Sequence, residues 1–241
     1  MTRSLLAGAS LALLVSIGAC SPAKPLMESV AVAEPAAAPA APTPISIAAP
    51  SGDYVSDVNH SSITFKLQHL GLSHYTMRFR TFDATVSFDP ANIPASKVVA
   101  KVKPTDILVG FPGDYVRNHP GTRFTSWEGD LANSSNFLNT ERFPEISFAS
   151  TAVEVTGERT AKVTGDLTLL GVTKLISLDV TFSGETDAHP FAKVPAIGLS
   201  ATGSFKRSDF GLTYLSQGGM VGDVVEMSIE GDFIEKVAAP S

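Results

Sequence analysis

Three groups of residues have types and spacings that invite a chemical reading. Asp57, His60 and Ser61 supply an acid, a base and a hydroxyl within five positions, the ingredients of acyl transfer. Their closeness argues against it. Three residues entering one strand cannot hold nucleophile, base and orienting carboxylate in a triad's geometry, and the chain has no G-x-S-x-G elbow. Histidines 60, 69 and 74 invite a metal site, but strand alternation sends 60 and 69 to opposite faces, and no cysteine or H-E-x-x-H helix joins them. Arg207-Ser208-Asp209 reads as a turn held by a local ion pair or an Asx hydrogen bond, ahead of a ligand contact. Glycine-rich phosphate loops are absent from the sequence. No catalytic residue, metal ligand or cofactor is assigned, and the chain is read as a non-enzyme.

The chain's single cysteine, Cys20, has a chemistry of its own. Residues 1–19 begin with Arg3, run apolar and small from Leu5 to Ile17, and end Ile17-Gly18-Ala19 before it. A positive start and an apolar run too short for the roughly 20 residues of a bilayer span describe a secretory signal. An apolar residue three before the cysteine and two small residues directly before it resemble a bacterial lipobox. Cys20 is therefore expected to become the lipidated N-terminus and to tether the protein to the cell envelope from the periplasm. Ser21 after it fits outer-membrane sorting as enteric bacteria practise it. Residues 31–50 hold nine Ala and five Pro, a composition that makes a semi-rigid linker rather than a helix. The expected organisation is a signal at 1–19, lipidated Cys20 and linker through 52, a barrel domain at 53–236 and a tail at 237–241.

Composition bounds the partners. With 18 basic against 24 acidic side chains in 241 residues, the net charge is −6, and no basic footprint for nucleic acid exists. One cysteine excludes an internal disulfide and a cysteine-rich metal site. Oligomeric state is not legible.

The elements that must position any site are strands. From Ser51 onward Gly, Pro, Asn and Asp punctuate runs in which apolar residues recur at every second position. Eight such runs centre on Phe65, Val86, Ala100, Phe148, Leu167, Leu178, Ala201 and Met227, mostly about ten residues long. Phe79 and Phe82 have opposite parity within one of them, which a bulge or bend repairs. A turn or two of helix is expected only around Asn133 to Asn139. Eight long antiparallel strands must split into a sandwich or close into a barrel.

Five ordered stretches carry a resemblance. They are Asp57-Val-Asn-His60-Ser61-Ser-Ile-Thr-Phe65 with His69-Leu-Gly71-Leu-Ser73; Asn136-Phe137-Leu138 with Phe143-Pro144-Glu145-Ile146-Ser-Phe148; Gly165-Asp-Leu167 through Gly171-Val172-Thr173-Lys174; Phe205-Lys-Arg207-Ser208-Asp209-Phe210-Gly211; and Gly222-Asp223-Val224. In this order and spacing the chain resembles the YceI family of secreted bacterial proteins from about Gly52 to Glu235. The resemblance implies an all-β, eight-stranded, antiparallel, lipocalin-like barrel with an elongated apolar pocket for polyisoprenoid chains, quinone-type lipids or similar long-chain amphiphiles. Leu170 stands where the family commonly has Arg, and Arg78 where Gly is usual. The segment 110–127 looks longer than the family's connection. Gly71, Gly171, Gly211 and Gly222 fall between strand runs, where positive φ is expected.

The inward parity gives the candidate pocket: Phe65 and Leu67, Phe82 and Val86, Phe148, Leu167 and Leu169, Leu178, Leu199 and Phe205, and Met227. The expected function is non-enzymatic sequestration or transport of such a lipid. A filled barrel serving as a structural or stress-related envelope module is the first alternative, and an enzyme acting on the lipid the second. Residues 110–127 carry Arg117, His119 and Arg123 among Phe111, Tyr115, Phe124 and Trp127, and read equally as a mouth that meets head groups or as a solvated loop packed by its aromatics.

Overall fold

The structure, a computed structural model, describes residues 46–237. Cys20, the expected signal and most of the expected linker lie outside the described residues. The chain folds as β1 (Gly52–Ser56), β2 (Ser62–His69), β3 (Ser73–Phe79), β4 (Asp83–Phe88), β5 (Lys97–Val102) and β6 (Ile107–Val109). Two short helices follow, α1 (Tyr115–Asn118) and α2 (Trp127–Asn133). The remaining strands are β7 (Ile146–Val155), β8 (Thr160–Leu169), β9 (Val172–Thr186), β10 (Ala196–Lys206) and β11 (Val221–Glu235).

All pairings are antiparallel, and β1 pairs with both β4 and β11, so the sheet closes. β1 with β2, β3 with β4, and β5 with β6 each make one interrupted stave, because β1 and β2 face β4 and β3, which face β5 and β6 in turn. With β7 to β11 this is the expected closed eight-stranded barrel.

The three interruptions have one cause. Along the first stave the inward parity runs even at Tyr54 and odd at Phe65 and Leu67. The second turns from odd at Met77 and Phe79 to even at Phe82, Ala84 and Val86, and the third from even at Val102 to odd at Ile107. Each break resets the alternation so that apolar side chains stay inside a strongly bent wall. Polar contacts replace the lapsed ladder. Ser56 Oγ donates to Phe82 O at 3.1 Å and accepts from Ala84 N at 3.0 Å, and Arg80 N donates to Asp106 O at 2.8 Å. The early strand segments, β1 to β6, are consequently three to eight residues long, short of the ten expected.

One end of the barrel is sealed. Tyr54 and Ile197 are 0% and 1% exposed, and Phe88 stacks on Phe182 with ring centroids 6.1 Å apart. The seal begins before the expected domain boundary at 53. Ala49 is buried, the Ala48 and Ala49 amides donate to Glu185 at 3.0 and 2.9 Å, and the Tyr54 hydroxyl donates to Pro50 O at 2.8 Å. The last residues of the expected linker thus belong to the barrel.

The other end carries the β2–β3 and β8–β9 turns, the connection 110–145 and the connection 207–220. Helix forms at Trp127–Asn133, upstream of the expected 133–139. Ser126 caps it by accepting from Gly129 N at 3.0 Å, and Glu128 and Asp130 suit its first turn. The Asn- and Ser-rich stretch after Asn133 turns instead. Glu128 also accepts from Val109 N at 3.1 Å, tying α2 to the edge of β6.

Candidate functional site

The barrel encloses a cavity of about 510 Å³, within the range of pockets that hold small-molecule ligands. All eleven residues assigned from sequence line it: Phe65 and Leu67 of β2, Phe82 at a strand break, Val86 of β4, Phe148 of β7, Leu167 and Leu169 of β8, Leu178 of β9, Leu199 and Phe205 of β10, and Met227 of β11. Ile63, Met77, Phe79 and Ile107 line it too. The 73–79 alternation was the signal for Met77 and Phe79.

Missing side chains shape this space as much as present ones. A Cβ on Gly165 would lie 2.5 Å from Phe148 Cζ and 2.5 Å from Ala149 O, so the Phe148 ring rests directly on the β8 backbone. Gly203 plays the same part for Leu178, whose Cδ2 would be 2.6 Å from an added Cβ. Gly71, Gly171 and Gly211 have positive φ as expected, but Gly222 does not. Gly222 lies within β11, and its reason is close approach, since an added Cβ would meet Gln68 Cβ at 3.0 Å where the β11–β2 register shifts.

Toward the open end the wall becomes aromatic and partly polar. Tyr75, Phe111 and Trp127 meet at centroid distances of 5.1 and 5.9 Å, and His119 stands 4.6 Å from Trp127 and 4.4 Å from Tyr115. His69 packs on Tyr75 at 4.4 Å. The Tyr115 hydroxyl donates to Asp130 Oδ2 at 2.7 Å, and burial, then this bond, pushes its pKa up. Burial does the same for Tyr75, so both phenols stay protonated. Of the residues considered in 110–127, Phe111, His119 and Trp127 reach the cavity, whereas Arg117 is exposed and Arg123 lies over the Phe124 ring at 4.8 Å.

Arg207 replaces the expected local ion pair with a different construction. It is 2% exposed, and its guanidinium donates to Gly222 O (2.9 Å), Leu212 O (3.1 Å), Tyr214 O (2.8 Å), Ser216 Oγ (2.9 Å) and Val221 O (3.1 Å). All five N–H donors are used, and together they hold the 207–221 connection against the end of β11. Burial lowers its pKa, and Asp223 opposes that shift. Asp223 itself accepts from Ser208 N at 3.0 Å and Ser208 Oγ at 2.8 Å.

The residues that invited catalysis stand elsewhere. His60 lies at the sealed end and His69 at the open end, so the two are separated by the barrel's length and not merely by its faces. His60 Nδ1 contacts Asp57 Oδ2 at 2.7 Å, while Ser61 Oγ turns to Asp232 O. Among the described residues, Asp57, His60 and His189 bring three ligand-type atoms within 4.8 Å of one another. That group sits outside the cavity, and the Asp57–His60 hydrogen bond already accounts for its closest contact.

A family model for the YceI-like domain matches residues 54–233. A UPF0312 protein of Pseudomonas savastanoi pv. phaseolicola is 39% identical over 165 residues, covering 67% of this chain and 77% of the relative. The solved Campylobacter jejuni YceI protein is 26% identical, with a TM-score of 0.57 over 70% of this chain and 90% of that one. A polyisoprenoid binding domain from Saccharophagus degradans implicated in plant cell wall breakdown has a TM-score of 0.52 over 78% of this chain and 100% of its own. At 13% identity that likeness carries the fold alone.

Proposed function

The chain belongs to the YceI-like family, and on that premise we propose that it binds a polyisoprenoid, quinone-type or related long-chain lipid without covalent chemistry, as a carrier or sequestering protein of the bacterial periplasm. The observation that carries this reading is the cavity: an apolar space sealed at Tyr54, Phe88 and Phe182 and lined at its open end by Tyr75, Phe111, His119 and Trp127. A long apolar tail fits the sealed part, and a polar or aromatic head group fits the mouth. The fold shared with the Saccharophagus degradans polyisoprenoid binding domain is compatible with this ligand class.

Magnitudes favour a carrier over a store. Each isoprene unit buries on the order of 100 Å², worth about 2.5 kcal/mol against water. Against a membrane the exchange is near neutral, because the tail already lies in hydrocarbon. The cavity also weighs against the filled-barrel alternative. An enzyme would need an acid and base paired within reach of the substrate, whereas the phenols at the mouth are held protonated, Asp130 accepts from Tyr115, and His69 and His119 pack on aromatic rings rather than on a carboxylate. Titration with polyprenols, quinones and fatty amides tests the reading: saturable binding by at least one class is expected, and none by any of the three overturns it.

The same proposal places the protein on the envelope through Cys20, with sorting to the outer membrane after Ser21. The lipobox-like Ile17-Gly18-Ala19-Cys20 supports this, and acyl chains each add about 0.8 kcal/mol per buried CH2. Mass spectrometry of the mature N-terminus tests it, and an unmodified Cys20 removes the anchor.

A further inference from the structure

Exposed apolar side chains gather around the mouth of the cavity. Leu72 is 85% exposed, Leu175 64%, Leu70 50%, Val224 46%, and Tyr214 and Met220 43% each. They come from the two hairpin tips, the 207–220 connection and the strand ends beside them, stretches distant in sequence that the barrel topology brings to one end.

Charge follows the opposite distribution. Residues 69–73, 169–173 and 210–222 contain no Asp, Glu, Lys or Arg, whereas the loops at the sealed end, 89–96, 156–159 and 187–195, contain Asp89, Glu158, Arg159, Asp187 and Lys193. Charged side chains resume at Lys66, which pairs with Glu226 at 2.9 Å, at Asp166 and exposed Lys174 below the second tip, and at exposed Asp209 and at Asp223 on either side of the third connection. At ~3.3 Å per residue the uncharged zone is about 13 Å deep on β2 and about 10 Å on β9, comparable with the 5–10 Å to which interfacial segments enter a bilayer.

Local backbone preference is overridden at the same place. Leu70 (φ 53°) and Leu170 (φ 51°) each precede a glycine of positive φ at a hairpin tip, and Leu215 (φ 59°) lies in the third connection. Tight turns with two positive φ values favour Asn-Gly or Asp-Gly, and a bulky residue there is a strained choice. Leu70 is 50% exposed, so that tip presents apolar surface where asparagine is easier, whereas Leu170 is half-buried against the Phe148 and Leu167 cluster and Leu215 lines the cavity. The remaining connection, 110–145, carries exposed Asp114, Arg117, Arg123, Glu141, Arg142 and Glu145 and forms a charged side of mixed sign.

We infer that the open end is a membrane-docking face: the two leucine-bearing tips and the 212–220 segment enter the lipid–water interface and set the cavity mouth against the acyl chains. An apolar rim at Leu70, Leu72, Leu175, Tyr214 and Met220, flanked on one side by the charged 110–145 connection and surrounding a lipid-sized opening, suits a bilayer with acyl chains beneath polar head groups. The inference rests on the proposed lipid cargo for its purpose, though not for its geometry.

Two labelled forms of the full chain test it. Cys20→Ser removes the native thiol, and an environment-sensitive fluorophore is attached at Leu72→Cys on the mouth or at Phe191→Cys, 82% exposed at the sealed end. On adding phosphatidylcholine vesicles, the label at 72 is expected to shift to shorter wavelength and brighten, and the label at 191 to stay unchanged. Adding Leu175→Ser and Met220→Ser should diminish the response at 72. An equal response at both positions, a response at 191 alone, or none at either overturns the inference, the last result also covering a mouth that meets only a protein. Polyprenol delivered on cyclodextrin is titrated in parallel without vesicles. Lost polyprenol binding with an intact response at 72 overturns the cargo and not the docking, and the reverse overturns the docking and not the cargo.

Discussion

The Phe148 ring occupies the space above Gly165 that any other side chain would need, with Cζ 2.5 Å from the position of an added Cβ. The pair connects β7 to β8 and fixes how far Phe148 projects into the cavity. Gly165→Ala must push the ring inward or part the strands. A loss of about 1–3 kcal/mol is expected, as for other overpacked interiors, together with weaker lipid binding. Thermal melts and ligand titration of the variant measure both effects.

Arg207→Leu should destabilise the barrel by on the order of 3 kcal/mol, because five acceptors lose a buried charged donor at once. Arg207→Lys should recover only a small part, since a single ammonium cannot reach carbonyls fanned around a planar fork. Denaturant unfolding of the two variants supplies the comparison, and proteolysis within 207–221 should accelerate in both.

The Asp57–His60 pair predicts a pH-dependent contribution. The hydrogen bond from His60 holds the Asp57 carboxyl below its usual range, and the same bond, followed by the charges of Asp57 and Asp232, raises the His60 imidazole. A raised histidine stabilises below its unfolded pKa, roughly 6.5, and loses that as pH climbs through the folded value. A lowered aspartate stabilises above its unfolded pKa, roughly 3.9, and loses that as pH falls through its own folded value. The pair therefore contributes most between about pH 4 and 6.5. His60→Asn should melt slightly below the parent at pH 5.5, with the gap closed at pH 9. Because His60 is exposed, the gap should be small and should shrink further in salt.

Ala201 faces the cavity from β10. Ala201 is buried in the Phe148 and Leu178 cluster where that cluster borders the cavity, so the ring of Ala201→Phe should take up cavity space: bound polyprenol should fall several-fold while the melting temperature moves by no more than roughly 4 °C, about 1 kcal/mol for a domain of this size. A large drop in stability would show that the space was already filled.

Much of the cavity was legible because strand alternation is a local property. Phe148, Leu167, Leu178 and Met227 face inward for the same reason that Ser177 and Asp179 face outward. The reset strands were legible only at Phe79 and Phe82, where both residues are large enough to reveal the parity change. At 57–61 and 103–106 the same reset is hidden in short polar turns that resemble ordinary loop sequence. The mouth was less legible still. Phe111, His119 and Trp127 have no shared period, and they meet Tyr75 and His69 only through the closure of β2, β3 and β6 into one wall. Arg207 suggested a partner two residues away, whereas its acceptors are four backbone carbonyls and the Ser216 hydroxyl within 212–222, whose placement depends on the whole connection.

The central claim is that the cavity holds a long-chain lipid, and the most direct measurement is organic extraction of the protein purified from its native host, followed by mass spectrometry. Recovery of an isoprenoid or related long-chain amphiphile approaching one per protein, reduced in Ala201→Phe, is the predicted result. Protein that yields no such lipid, and equal background from the parent and the variant, would contradict it.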